Sequence, residues 1–260
     1  MSAEQLSTEI IREALNTKLV GRNVMYYPTV SSTMDAAKMA VLDGVIEGTV
    51  IVADHQTAGR GRLGREWLSP PGGNLMLSII LYPRLEHLAR LTLVSCLAIA
   101  RSIEEVTLLE TSIKWPNDVL INGKKISGVL VESDVNGDKV NYASIGIAVN
   151  VNLDVKSIPE IADIATSLRD ELGMPVSRLQ MLTALLGEFE KVYKDMCKGE
   201  PIELDWKRRL TTLGKKVSVR CGDVVHKGFA EDVDKDGNLL LRLPNKKLEV
   251  ISAGDVTLKV

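Results

Sequence analysis

SIKWPNDVLINGKKISGVLVESDVNGDKVNYASIGIAVNVN, residues 112–152, is a chain of short β-branched runs cut by turn residues. SIKWP (112–116), DVLIN (118–122), KISGVLVES (125–133) and KVNYASIGIAVNVN (139–152) read as strands. Asn122-Gly123 and the VNGD segment at 135–138 supply the positive backbone angles that tight hairpins need. Strands joined this closely pair antiparallel, because a parallel pair needs a long crossover between them. The stretch therefore predicts a largely antiparallel sheet and argues against a parallel dinucleotide-binding fold.

Working outward, GTVIVAD (48–54) and NLMLSIILY (74–82) add two more strands, the second apolar enough to be buried. Between them, QTAGRGRLGREWLSPPGGN (56–74) is too rich in glycine and proline for regular structure. Apolar spacing predicts a short leading helix over 5–18 and a long one over 86–106. Ser31 or Ser32 caps a further helix that stops at Gly44. Two more helices are expected at 178–197 and 201–210, the latter opened by Pro201. From Gly214 the pattern changes to short strands around the turn at 236–238. The expected organisation is α+β: a first domain over 1–213 with helices on one face of its sheet, and a small all-β domain over 214–260.

Of 260 residues, 45% are hydrophobic and 25% charged, an ordinary balance for a globular protein with a sizeable core. The net charge of −2 gives no general field for nucleic acid or an anionic membrane, so anions must be handled by local arginine and lysine clusters. Cys96, Cys197 and Cys221 are scattered and in no metal-ligand spacing, as expected of reduced thiols in the cytoplasm. No signal-peptide core and no membrane-length apolar run is present, and no dedicated metal site is read.

Chemistry concentrates in three clusters. Gly59-Arg60-Gly61-Arg62-Leu63-Gly64-Arg65 combines glycines that expose backbone N–H groups with forked cations suited to carboxylate or phosphate. Alone it fits a small-ligand loop, a nucleic-acid contact or a solvated loop, and it matches neither common nucleotide-loop pattern. Trp67, just beyond, is either a stacking wall or a loop tryptophan folded back on the sheet. Gln56 offers both a donor and an acceptor to a planar polar group. Lys114-Trp115-Pro116-Asn117-Asp118 suits a nucleotide and its metal, or an ordinary edge turn. Gly123-Lys124-Lys125-Ile126-Ser127-Gly128 opens a strand whose alternation sends one lysine outward and one into a cleft, although exposed hairpin lysines are common.

Taken together and in this order, Ser31-Ser32-Thr33, GRGRLGR, KWPNDVLINGKKISGVLVE (114–132) and GIAVN (146–150) resemble the biotin protein ligase family over about residues 25–152, and the β-rich end is similar to that family's C-terminal module. The resemblance implies a class II synthetase-like mixed or antiparallel sheet with flanking helices, followed by an SH3-like β-barrel. It implies an enzyme that makes biotinyl-5′-AMP from biotin and ATP with Mg²⁺, then passes biotin to a lysine of a biotin carboxyl carrier domain. By the same resemblance Ser32, Thr33, Met34, Gln56, Gly59, Arg60, Gly61, Arg62, Lys125 and Gly128 contact biotin. Arg62, Arg65, Trp67, Asn117, Asp118, Lys125 and Asn150 contact the nucleotide, and Lys125, Arg62, Lys114 and Arg65 carry catalysis. Met34 departs from the family, which often has Asn there, so only a backbone contact would survive at that position. A homodimer is implied as well. With the match beginning near residue 25, no DNA-binding domain and no repressor activity are expected. The competing functions are a lipoate or octanoate ligase, a non-catalytic biotin or nucleotide sensor, and a nucleic-acid-binding module. His55, His87 and His226 are assigned no role.

Overall fold

The structure, a computed structural model, describes residues 5–68 and 70–258. Lys259 and Val260, at the end of the last expected strand, and Ser69, in the irregular stretch, lie outside them. The chain opens with α1 (Thr8–Ala14), β1 (Val24–Tyr27), α2 (Thr33–Leu42), β2 (Val50–Ala53) and β3 (Asn74–Leu81). The long apolar helix is split at Ala89-Arg90 into α3 (Leu85–Leu88) and α4 (Leu91–Thr107). Then come β4 (Ser112–Lys114), β5 (Asp118–Ile121), β6 (Lys124–Asn136) and β7 (Lys139–Asn150), as the turn chemistry predicts. Helices α5 (Leu168–Leu172), α6 (Arg178–Cys197) and α7 (Ile202–Arg209) follow, and Pro201 stands at the N-cap of α7.

One seven-stranded sheet runs in the order β1-β2-β3-β7-β6-β5-β4. Every pair is antiparallel except β1 with β2, which α2 joins as a crossover. Strand β1 was not expected: VMYY is only four residues long and has no alternation to mark it. Period-two alternation then divides the two faces of the sheet. Val50, Val52, Leu77, Ile79, Ile145, Ile147 and Val149 point to one side, into a core completed by α4 and α6 through residues such as Val94, Leu97, Leu185 and Phe189. Ile51 and Ile80 point to the other side and pack on Ala37 and Ala40 of α2. Helices thus lie on both faces, not one. Only part of the second face is covered, because α2 ends its contacts at β7.

The N-terminal segment is tied down electrostatically. Glu190, on α6, accepts the backbone N–H groups of Lys18, Leu19 and Val20 at 2.9, 2.5 and 3.0 Å and pairs with Lys194 at 2.5 Å. Strands β8 (Lys216–Cys221), β9 (Val224–Val233), β10 (Leu239–Arg242), β11 (Leu248–Ile251) and β12 (Asp255–Leu258) form a separate antiparallel sheet, ordered β11-β10-β9-β8-β12. Its apolar side (Val217, Val219, Leu239, Leu241) is continuous with the main core. Buried Trp115 crosses between the two sheets: its indole N–H donates to the Gly237 carbonyl at 2.8 Å. No helix among the described residues is long and apolar enough to cross a membrane.

Candidate active site

A cleft of about 1330 Å³ opens on the part of the second sheet face that α2 leaves bare. Its floor is made of small residues: Gly128 on β6 lies opposite Ala148 on β7, and Gly146 lies opposite Leu130. A methyl group at either glycine would intrude. At Gly146 it would stand 2.8 Å from the Met34 sulfur, and at Gly128 it would stand 3.1 Å from both Lys125 Nζ and the Trp67 ring.

One end of the cleft is a neutral polar pocket at the start of α2. Ser32 caps the helix, its Oγ accepting the Met34 N–H at 3.2 Å. The Thr33 N–H and hydroxyl both donate to Gln56 Oε1, at 2.7 and 3.1 Å, and the Ser78 hydroxyl donates to Thr33 Oγ1 at 2.9 Å. These buried groups hold one another in a single arrangement. Ser78, inside the apolar run of β3, was not singled out from the sequence. The Met34 N–H is already taken by Ser32, and its thioether lies over Gly146 with the Ser144 hydroxyl 3.4 Å away. Met34 therefore lines the pocket as an apolar wall.

The other end is cationic. Lys125 reaches inward to Asp118 Oδ1 at 2.7 Å, with its ammonium 5.3 Å from the centre of the Trp67 ring. Lys124 turns the other way and donates to the Ala162 carbonyl at 3.1 Å, as strand alternation predicts. Arg62 donates to Asn117 Oδ1 at 2.8 Å and to the Gly254 carbonyl at 3.2 Å, and Arg65 pairs with Asp255. Burial, together with the charge of Arg65, lowers the Arg62 pKa against the pull of Asp118, yet a guanidinium so shifted stays cationic. Asn117 is fixed by its own bond to the Val129 carbonyl at 2.7 Å, and Asn150 by one to Thr166 at 3.0 Å. Lys114, at the end of β4, also borders the cleft. The Trp67 indole N–H is buried and has no hydrogen-bond partner among the described residues.

The loop that carries the arginines is a small hairpin. Gly61 N–H donates to the Arg65 carbonyl at 2.7 Å and Trp67 N–H to the Gly59 carbonyl at 3.0 Å, around a turn with positive φ at Leu63 and Gly64. Arg60 pairs with Asp35 on α2 at 2.8 Å. Arg60, Gly61, Arg62 and Arg65 border the cleft, whereas Gly59 does not. Gly59 stands behind the loop, where a Cβ would meet the Trp67 carbonyl at 2.7 Å, so its part is to let Trp67 close in.

Sequence reading missed one wall entirely. Ile158, Ile161, Ile164 and Ala165 line the cleft. The backbone of Lys125 clamps this segment, donating to the Ile164 carbonyl and accepting from Thr166, each at 2.9 Å. The only signal was the three-residue spacing of the isoleucines. His55 and Asp255 border the cleft too and were assigned nothing.

Comparison with known proteins places these features. Residues 26–150 match the biotin/lipoate A/B protein ligase family, and residues 212–259 match the biotin protein ligase C-terminal domain. The chain is 39% identical to a bifunctional ligase/repressor of Bacillus subtilis (strain 168), over 98% of this chain and 79% of that one. It is 34% identical to a biotin–[acetyl-CoA-carboxylase] ligase of Paracoccus denitrificans, over 88% of this chain and 97% of that one. Among solved structures, the biotin protein ligase of Aquifex aeolicus in complex with biotin and ATP superposes with a TM-score of 0.79 at 32% identity, covering 92% of this chain and 99% of that one. The Leishmania major ligase with biotinyl-5-AMP gives a TM-score of 0.61 at 26% identity, covering 89% and 99%. A cleft with a neutral polar pocket at one end and clustered cations at the other, on a chain related along nearly its whole length to such enzymes, makes this protein a member of the biotin protein ligase family.

Proposed function

We propose that the chain activates biotin with ATP and then transfers it to a lysine on a biotin carboxyl carrier domain. The observation that carries this is one continuous cleft in which the Thr33–Gln56 pocket and the Arg62–Lys125 cluster share a floor of Gly128, Gly146 and Ala148. The pocket offers hydroxyl, amide and backbone groups to the ureido ring. The apolar floor and Met34 take the bicyclic body and chain, and the carboxylate reaches Lys125. Arg62, Arg65, Lys114 and the 158–165 wall receive the nucleotide.

In the first step the biotin carboxylate oxygen attacks the α-phosphorus of ATP, and the bond to pyrophosphate breaks. Two anions approach and charge grows on the phosphoryl oxygens, so fixed cations lower the barrier, each typically by about 3 kcal/mol. Asp118 and Asn117 provide a carboxylate and an amide beside the phosphate end, a donor set that suits Mg²⁺ when it arrives with the substrate's phosphates. Bound there, Mg²⁺ neutralises phosphate charge. In the second step the neutral amine of the carrier lysine attacks the acyl carbon, and AMP leaves. The arginine hairpin, with Trp67 packed beneath it, shields the mixed anhydride from water.

Pyrophosphate exchange into ATP, with biotin, lipoate, octanoate or no acid, tests the assignment. Exchange that depends on biotin supports it, exchange only with lipoate or octanoate replaces the substrate, and absence of exchange with every acid, from folded protein, removes the enzyme. Gly128→Ala is expected to lower biotin-dependent exchange by roughly tenfold or more, because misplacing a reacting group by about an ångström costs at least that much. An unchanged rate would mean that Lys125 does not work above this floor. We take 214–260 as a second domain that shares the main core and completes the phosphate end. We also propose a homodimer, to be checked by sedimentation.

A further inference from the structure

We propose that Asp255 is a positioning residue for the arginine hairpin, so that the C-terminal sheet, through Asp255 and the Gly254 carbonyl, holds shut the lid over the reaction intermediate. The proposal rests on the ligase reading for what the lid encloses, but not for the latch itself. Residues 59–67 close on themselves through the Gly61–Arg65 and Gly59–Trp67 backbone bonds and the Arg60–Glu66 bridge. The tip, from Arg62 to Arg65, makes three side-chain contacts beyond the hairpin among the described residues: Arg62 to Asn117, Arg62 to the Gly254 carbonyl, and Arg65 to Asp255. Two of the three end on adjacent residues of the C-terminal sheet, about 190 positions downstream. That sheet is tied to the first domain, where Trp115 donates to the Gly237 carbonyl and Leu93 packs on the same glycine. In this proposal the Gly254–Asp255 segment is the anchor and the hairpin tip is the part that moves.

The chemistry of the pair suits a latch rather than a lock. Arg65 is 67% exposed and Asp255 25% exposed, and ion pairs of that exposure shift a two-state equilibrium by only a few-fold. Such a lid opens readily for substrates and for the carrier lysine. Asp255 meets Arg65 at its terminal Nη2, and a guanidinium has five donors, more than one carboxylate can take. The carboxylate thus aims the cation at the cleft instead of consuming it.

The test uses the full chain with Asp255→Ala, Asp255→Asn, Arg65→Gln and the charge swap Arg65→Asp/Asp255→Arg. Subtilisin cleavage at the hairpin, where Leu63 is 62% exposed, is measured without substrates. Release of biotinyl-adenylate from loaded enzyme is measured alongside it. Expected are about three- to fivefold faster cleavage in the single variants, recovery of protection in the swap, and faster adenylate release. The ATP KM should rise with kcat for exchange little changed in the Asp255 variants. Cleavage at the parent rate in Asp255→Ala and Arg65→Gln, with unchanged melting profiles, would overturn the latch. If the parent chain shows no biotin-dependent exchange, the ligase reading fails, while the proteolysis arm still decides the latch. A variant that melts early is set aside in favour of Asp255→Asn, whose shape is conserved.

Discussion

Replacing Lys125 by Ala is expected to lower biotin-dependent pyrophosphate exchange by about 10²–10³-fold while shifting the melting temperature by no more than about 2 °C. The two halves of that expectation have different sources. The ammonium is the cation that β6 alternation sends into the cleft, beside the bare floor at Gly128, so it stands where carboxylate and α-phosphate would meet. Losing a preorganised charge at a centre of growing negative charge costs the transition state more than the bound ground state, so kcat and kcat/KM fall together while KM changes little. Stability is nearly indifferent, because the Lys125–Asp118 pair is partly exposed at both ends and such pairs contribute under about 1 kcal/mol. Lys125→Arg is a stringent control: its planar fork is longer and cannot place a point charge on the same spot, so it should recover only a small part of the rate. If Lys125→Ala exchanges within about threefold of the parent, the residue is a structural partner of Asp118 and the catalytic assignment falls.

Glu190→Gln should produce the largest loss of stability, about 2 kcal/mol, or a melting temperature lower by about 4–8 °C. Burial alone would push this carboxyl up. The Lys194 ammonium and the N–H groups of Lys18, Leu19 and Val20 outweigh it and hold the pKa down to about 2. A carboxylate held below its unfolded value of 4.5 stabilises the fold fully above that value. Its contribution disappears as the pH falls from about 4.5 towards 2. The variant should therefore be the less stable protein at neutral pH, and the two melting curves should converge as acid is added across that window. A gap that stays constant down to the acid end would show that charge is not what Glu190 contributes.

How far the sequence speaks depends on which force shaped each element. Hairpin turns are local, so Asn122-Gly123 and Gly137 mark β5, β6 and β7 within one to three residues, and with them the Lys124/Lys125 alternation. Capping is local too, and Ser32 stands where it was expected, at the head of α2. Strand β1 is held by its neighbour β2 and not by its own pattern, and so it left no mark. The break at Ala89-Arg90 is similar: the residues favour helix on both sides, and only packing turns the chain there. At the site, the clustered cations were legible because glycine and arginine are conspicuous together. The Ile158–Ala165 wall was not, since isoleucines in a loop look like any satellite core until Lys125 clamps them. Nor was Asp255, whose meaning lies in a residue far away along the chain.

The bare floor of the cleft sets catalysis against durability. Much of the sheet is packed under helix, whereas Ala148, beside Gly128 and Gly146, lies under a hollow that any designer of hardy proteins would fill. A larger apolar residue at Ala148, valine first, would extend the packing that α2 begins and erase the space a substrate needs. Selection for heat tolerance alone should therefore find its gains at the positions that abolish turnover. Variants recovered from such a screen, mapped on this floor, would outline the footprint of the ligand without any ligand being present.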